Sequence, residues 1–443
     1  MTTKYDNTNF ADWSIETRAL HVGQDLDGST NSRNIPIYQT TSYVFDSAEH
    51  AAARFNLSDA GPIYTRLTNP TVDALERRIA ALEGGVAAVA FASGQAAETA
   101  AILNVASAGD HIVSSARLYG GTTTLFAVTL KRLGIDVTLL ENPDDPAEWE
   151  KAVQPNTKAF YGETFGNPIA DVLDIPAVAE VAHKHHVPLI VDNTIATAAL
   201  VRPLELGADV VVASTTKFYS GSGSAVGGIL VDGGKFDWTV ERDDKPVFPY
   251  FVEPDEAYHG LKYAELGAPA FALKARAGLL RDTGAAVSPF NAWLTLTGLE
   301  TLSLRVRKHN ENAQAVAEYL AGHDKVAKVN YAGLADSPYK AVKEKIGAEY
   351  TGSVLSFDIA PGERDAKEVA WAFIDALKLH SNLANIGDTH SLVVHPATTT
   401  HSQSDEEGLR VAGINQATIR LSVGIEDIKD ILADLELGFA AIA

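Results

Sequence analysis

Position 217 is an unusual place for a lysine. It follows the apolar run DVVVA, which ends at Ala213, and three hydroxyl residues, Ser214, Thr215 and Thr216; a loop of serines and glycines comes next. A second apolar run, PLIV, ends in Asp192, Asn193 and Thr194. A third, VAAVAFA, ends in Ser93, Gly94 and Gln95, where a helix is expected to start. Free N–H groups and the helix dipole make such a turn an anion site. Three strand tips thus offer a phosphate cradle, a carboxylate and an amine. An ordinary lysine, with a pKa of about 10.4, acts as nucleophile or base only when that value is lowered.

Two common phosphate motifs fail. Gly221-Ser222-Gly223 begins a dinucleotide fingerprint, but Val226 stands where the third glycine belongs. Gly234-Lys235 is followed by Phe236, and Ile229 occupies the earlier glycine position of a P-loop. One chemistry uses an anion cradle, an acid and a lysine together, that of pyridoxal 5'-phosphate (PLP). The lysine bonds to its aldehyde, and the acid keeps its ring nitrogen protonated so that the ring accepts electrons.

These groups need a scaffold. Apolar strands alternate with amphipathic helices from about Thr71 to Ser214: TVDALERRIAALEG, with Val72, Leu75, Ile79 and Leu82 on one face and Gly84 at its stop, then VAAVAFAS, GQAAETAAILNVA and HIVSS, and onward to PLIVDN and DVVVAS. This predicts an α/β fold with a mostly parallel sheet covered on both faces, and ligands bind outside the carboxyl ends of such strands. Residues 1–70 read as a polar N-terminal arm, 71–285 as an α/β cofactor domain with an elaborated connection at about 235–284, and 286–443 as a smaller α+β domain. The last opens on one long helix, NAWLTLTGLETLSLRVRKHNENAQAVAEYLAGH, and carries the strand-like VAKVNY, SVLSFDI and TIRLSVG.

The motifs YTRLTNPT, ASGQAA, LYGGT, ETFGNP, VDNTIAT, STTKFYSG and IRLSVGIED occur one after another in this order. In this the chain resembles the PLP-dependent enzymes of cysteine and methionine metabolism over nearly its whole length. The resemblance implies the aspartate-aminotransferase type of PLP fold (fold type I). It implies Lys217 as the cofactor-bonded lysine and proton carrier, and Asp192 as partner of the pyridine nitrogen. Gly94 and Gln95 amides and Ser214 and Thr216 hydroxyls would hold the phosphate. Tyr119 would stack on the ring and assist proton transfer, and Asn167 would lie near its phenolic oxygen. Tyr64 and Arg66 would reach the phosphate of a neighbouring subunit. Arg420 would clamp the substrate α-carboxylate, with Asn382 in support.

Two departures matter. Gln95 stands where the family often has methionine. Asn382-Leu383-Ala384-Asn385 stands where many members have Ser-Leu-Gly-Gly. With NLANIGDTHSLVVHPATTTH and the long connection at 235–284, this points to members that replace the acetoxy group of O-acetyl-L-homoserine with sulfide, or with methanethiol to give methionine. A dimer of dimers with shared sites is expected. Alternatives are a cystathionine γ-synthase, a cystathionine or methionine γ-lyase and, in another class, a non-catalytic metabolite-binding protein.

Composition supports this reading. Acidic residues outnumber basic ones, 57 to 36, for a net charge of −21, which disfavours nucleic acid and anionic membranes as partners. There is no cysteine, hence no disulfide or thiolate site. No signal-like or membrane-spanning apolar stretch stands out, so a cytoplasmic enzyme is expected. His183, Lys184, His185 and His186 lack zinc spacing and read as a solvated helix end. Arg305, Arg307, Lys308 and His309 read as a helix surface. A buried arginine in TIRLSV needs an anion, from an internal acid or from a ligand.

Overall fold

The structure is a computed structural model, and it describes residues 10, 12–25, 30–56, 58–403 and 405–443. The polar start of the chain, residues 1–9, lies outside the described residues.

The alternating segments form one sheet of seven strands: β1 (Ala87–Phe91), β2 (His111–Ser115), β3 (Asp136–Leu140), β4 (Thr157–Glu163), β5 (Leu189–Asp192), β6 (Val210–Ala213) and β7 (Gly228–Asp232). Their spatial order is β1-β7-β6-β5-β4-β2-β3. Strands β6, β5, β4, β2 and β3 run parallel, whereas β7 runs antiparallel to both neighbours. Strand β7 had no helix before it to announce it, because it comes directly after the Ser/Gly loop. The register sets Glu163 beside Asp192, and Asp192 beside Val212. The carboxyl ends of β4, β5 and β6 therefore finish side by side.

Apolar clusters cover both faces of this sheet. The helix Pro70–Glu83 contributes the predicted face of Val72, Leu75, Ile79 and Leu82, all buried. Its start is fixed by Asn69, whose side chain accepts the Thr71 and Val72 N–H groups, and its end by Gly84 at φ +80°. The connection at 235–284 is packed, not loose. Trp238 stacks on Phe251 at 4.4 Å and 11°, and both join the cluster on the second face.

The ribbon β8 (Glu241–Arg242) and β9 (Lys245–Pro246) lies within that connection. A second sheet then forms from β10 (Val326–Asn330), β11 (Val354–Ile359), β12 (Ser381–Asn382), β13 (Leu392–Val394) and β14 (Thr418–Ser422), in the order β10-β11-β14-β13-β12. Arg420 sits on its middle strand, opposite Ser356 and Val394.

The expected long helix is two helices, Pro289–Leu299 and Leu302–Ala321. The break has a tertiary cause. Gly298 passes so close to the loop after Lys217 that a Cβ there would lie 2.3 Å from the Ser220 carbonyl oxygen. Arg305 takes the Gly298 carbonyl at 2.7 Å and that of Phe218 at 2.8 Å. Arg305 and His309 are therefore buried, contrary to the surface reading; His309 Nδ1 bonds the Val423 carbonyl at 2.7 Å. Arg307 stays exposed and Lys308 partly so. The His183–His186 stretch does end a helix at the surface, with His183 on Asp209 and His185 on Glu150. Among the described residues there is no acid or histidine cluster fit for a metal, and no helix long and apolar enough to cross a membrane.

Candidate active site

The three tips found in the sequence converge on one cavity of about 250 Å³ between the two sheets. Gly94, Gln95, Tyr119, Asn167, Asp192, Ser214, Thr216, Lys217 and Arg420 all line it.

Its anion side is the start of the helix Gly94–Leu103. Ser93 caps this helix by accepting the Ala96 N–H at 3.1 Å. The Gly94 and Gln95 N–H groups have no acceptor among the described residues. Glycine is required at 94, since a Cβ would come 2.7 Å from Ser214 Cβ. Ser214 donates its N–H to Thr194 Oγ1 at 2.8 Å, leaving its hydroxyl available. The Thr216 hydroxyl lies in the same wall but is shared with the backbone of Gly227.

Lys217 is held by the turn after β6, its carbonyl accepting the Gly221 N–H at 2.8 Å. Burial, and then the positive charge of Arg420, lower its pKa to about 8. An amine whose pKa is so lowered is neutral often enough near pH 8 to bond to a carbonyl carbon or carry a proton. Nζ donates to Asn385 Oδ1.

Asp192 ends β5 and accepts the Thr194 N–H at 2.8 Å. Burial raises its pKa, and hydrogen bonds from Thr194 and Tyr161 oppose that rise. Glu163 beside it is raised well above the usual range by burial and by the charge of Asp192. Its Oε1 accepts the Tyr119 N–H at 2.6 Å, fixing the residue whose half-exposed ring borders the cavity.

Arg420 reaches the cavity from β14. It donates to Asn385 O at 3.0 Å and to Asn167 Oδ1 at 3.4 Å, while Nε, buried, has no partner. Burial lowers its pKa to about 10. No acid neutralises it among the described residues, so the internal salt bridge is not formed. A buried guanidinium with only neutral acceptors suits a ligand carboxylate.

One expectation lands elsewhere. Asn382 is exposed on the edge strand β12, opposite Val393, and does not line the cavity; Asn385 does. Tyr64 and Arg66 are exposed, the Arg66 guanidinium 5.7 Å from the Tyr64 ring centre, and neither lines this cavity. Glu98, Glu163, Thr194 and Thr400 also line the cavity without having been singled out. Glu163 carried a legible signal, since it opens the ETFGNP motif at the tip of a predicted strand.

A cradle of unpaired N–H groups, a carboxylate and a softened lysine around one space fit PLP in its donor chemistry. A family model for Cys/Met metabolism PLP-dependent enzymes matches residues 16–440. The chain belongs to that family. Members depend on PLP and are enzymes, so the non-catalytic alternative falls. An O-acetyl-L-homoserine sulfhydrylase of Corynebacterium glutamicum is 72% identical over 439 residues, covering 99% of this chain and 100% of that one. Another of the same name, from Leptospira meyeri, is 50% identical over 431 residues and covers 95% of each chain. A solved Campylobacter jejuni structure, described as an O-acetylhomoserine (thiol)-lyase and carrying a pyridoxyl-lysine monophosphate, superposes with a TM-score of 0.92 at 41% identity, over 97% of this chain and 100% of that one. The fold is the aspartate-aminotransferase type of PLP fold, fold type I.

Proposed function

We propose that the chain catalyses a γ-replacement in which sulfide displaces acetate from O-acetyl-L-homoserine, giving L-homocysteine; methanethiol in the same place gives methionine. The observation that carries this is the 72% identity, end to end, to a protein named for that activity. Bound PLP supplies an aldehyde for amines and a ring that accepts electrons from the substrate.

The residues divide the work. Gly94 and Gln95 N–H groups and the Ser214 hydroxyl hold the phosphate, and Thr216 shapes the wall beside them. Asp192 holds the ring nitrogen. Asn167 would lie near the phenolic oxygen, and it accepts from Arg420, which would bind the substrate carboxylate. Tyr119, fixed by Glu163, would cover the ring. Asn385, not Asn382, is the asparagine at the substrate end. With PLP bound, Lys217 would hold its aldehyde, and the same amine would serve as the proton carrier beside the substrate. Its lowered pKa suits that amine to take a proton from Cα and to return one to substrate carbon, while the C–O bond at Cγ would break to release acetate and sulfide would supply the new C–S bond.

In this reading the enzyme works in the cytoplasm as a dimer of dimers. Tyr64 and Arg66 serve the cavity of a second copy, which accounts for their exposure here.

The test supplies purified enzyme and PLP with O-acetyl-L-homoserine, O-succinyl-L-homoserine, cystathionine or methionine, each with and without sulfide. Homocysteine formed from the acetyl ester only when sulfide is present is expected. α-Ketobutyrate as the main product, or a preference for cystathionine, overturns the reading.

A further inference from the structure

Beside Asp192 and Lys217 lies a second set of polar groups that no role above uses. Glu83 is the last residue of the helix Pro70–Glu83 and is fully buried. Its carboxyl accepts the Tyr219 hydroxyl. It also accepts from the Asn193 side-chain amide, whose nitrogen lies 3.1 Å from each oxygen. Asn193 donates as well to the Val201 carbonyl at 2.9 Å and accepts the Thr164 hydroxyl at 2.8 Å. Tyr219, Asn193 and Thr164 are as buried as Glu83, and none of the four lines the cavity.

The order along the chain gives these contacts a meaning. Thr164 follows Glu163, Asn193 follows Asp192, and Tyr219 stands two residues beyond Lys217. Successive side chains of an extended chain face opposite ways. Glu163 and Asp192 thus border the cavity, while the residue after each turns into this buried set. The turn that carries Lys217 sends a side chain to the same carboxyl. Arg202, whose charge acts on Glu83, is itself paired with Glu205 at 2.8 Å. Burying a carboxyl is costly, and apolar side chains would join helix to sheet at less cost. Apolar burial is non-directional, whereas a hydrogen bond sets both a length and an angle.

We propose that Glu83 is a positioning residue for the reaction: through Asn193 and Tyr219 it ties the tip of β5 to the turn after β6, and so sets where Asp192 and Lys217 stand relative to each other. This rests on the roles given to those two residues above. The turn has a further tie in Arg305, which takes the Phe218 carbonyl at 2.8 Å. Loss of the Tyr219 hydroxyl should therefore loosen the turn without undoing it.

The experiment compares wild type with Tyr219→Phe and Asn193→Ala, each of which breaks one tie. Two readings are taken on the full chain: the pH midpoint of Lys217 acetylation by acetic anhydride without PLP, followed by peptide mass spectrometry, and the affinity for added PLP, followed by protein fluorescence. Burial is the main cause of the lowered Lys217 value, about 8 in wild type. In Y219F water gains access to the amine, and the midpoint should rise by about half a unit or more toward that of surface lysines. In N193A the midpoint should stay, because Tyr219 keeps its acceptor, while PLP affinity falls about fivefold, the worth of one hydrogen bond. A role in stability alone would lower the melting temperature of both variants and move neither reading; that result overturns the proposal. Glu83→Gln can still meet both partners, its oxygen accepting from Asn193 and its amide donating to the Tyr219 oxygen. It should keep both readings, and a glutamine variant that loses either one refutes the two ties. Should Y219F not fold, the PLP affinity of N193A decides alone, and an undiminished value overturns the proposal. Borohydride-reduced holoenzyme lacking label at Lys217 would instead sink the functional reading, on which the acetylation midpoint does not depend.

Discussion

In the proposed reaction the chemistry turns on Lys217, and the surroundings of this residue set its protonation. In the chain freed of PLP its amine is half neutral near pH 8, whereas an ordinary lysine needs about 10.4. Acetic anhydride, an electrophile that neutral amines attack, should therefore acetylate Lys217 at pH 8 on the order of tenfold faster than surface lysines, a neutral fraction about 100-fold larger being offset in part by the lower nucleophilicity of a less basic amine. The rate should rise through pH 7 and level off above about 8. Peptide mass spectrometry reads this site by site; a rate that keeps rising to pH 10 contradicts it. Folding stability is linked to the same shift. Between these two pKa values the unfolded chain holds a proton at this site that the folded chain has lost. The PLP-free protein thus gains stability from Lys217 as pH rises through that window. At this scale the sequence was readable where a charged residue followed an apolar run, as at Lys217 and Asp192, or interrupted one, as at Arg420. Arg305 and His309 were not readable in the same way, because helical spacing does not reveal that a cation's partners are backbone carbonyls from another element.

Among the elements, the helix Gly94–Leu103 and the tip of β6 are pressed together at Gly94, with no room for a methyl group beside Ser214. Gly94→Ala must part the anion cradle from the lysine strand by a few tenths of an ångström or more. Overpacking of this kind costs about 1–3 kcal/mol, and here the loss falls on PLP binding as well as on folding. The expected result is at least a tenfold weaker PLP affinity, measured by titrating apoenzyme fluorescence, with far-UV circular dichroism unchanged. Undiminished affinity would mean that the helix start and the β6 tip do not act as one cradle. Strand tips were legible because parallel α/β sheets bury whole apolar runs and expose the residues just beyond them. Strand β7, the break after Leu299 and the reach of Asn385 were not. Each depends on what another part of the chain presses against it, and a loop's phase relative to a cavity is invisible to periodicity.

For the whole molecule, the decisive fact is what the single chain's cavity lacks. It holds Lys217, Asp192 and Arg420, yet Tyr64 and Arg66 stand exposed outside it. An arginine in solvent beside a tyrosine has little reason to be there for stability, whereas a guanidinium fork suits a phosphate bidentately. If each cavity is completed by a second copy, two different defects can complement. Lys217→Ala destroys its own site but lends an intact Tyr64 and Arg66. Arg66→Ala cripples the neighbour's site but keeps its own lysine. Each variant alone should show little activity. Mixed at equal amounts, unfolded and refolded together, half the dimers are hybrid and each hybrid has one whole site of two. Homocysteine formation should then recover to about one quarter of wild type, the fraction that a two-fold isologous assembly dictates. A mixture no more active than the mean of its parents would mean that Arg66 works within its own chain, or not on the cofactor at all. The exposed pair would then have to be assigned to the surface.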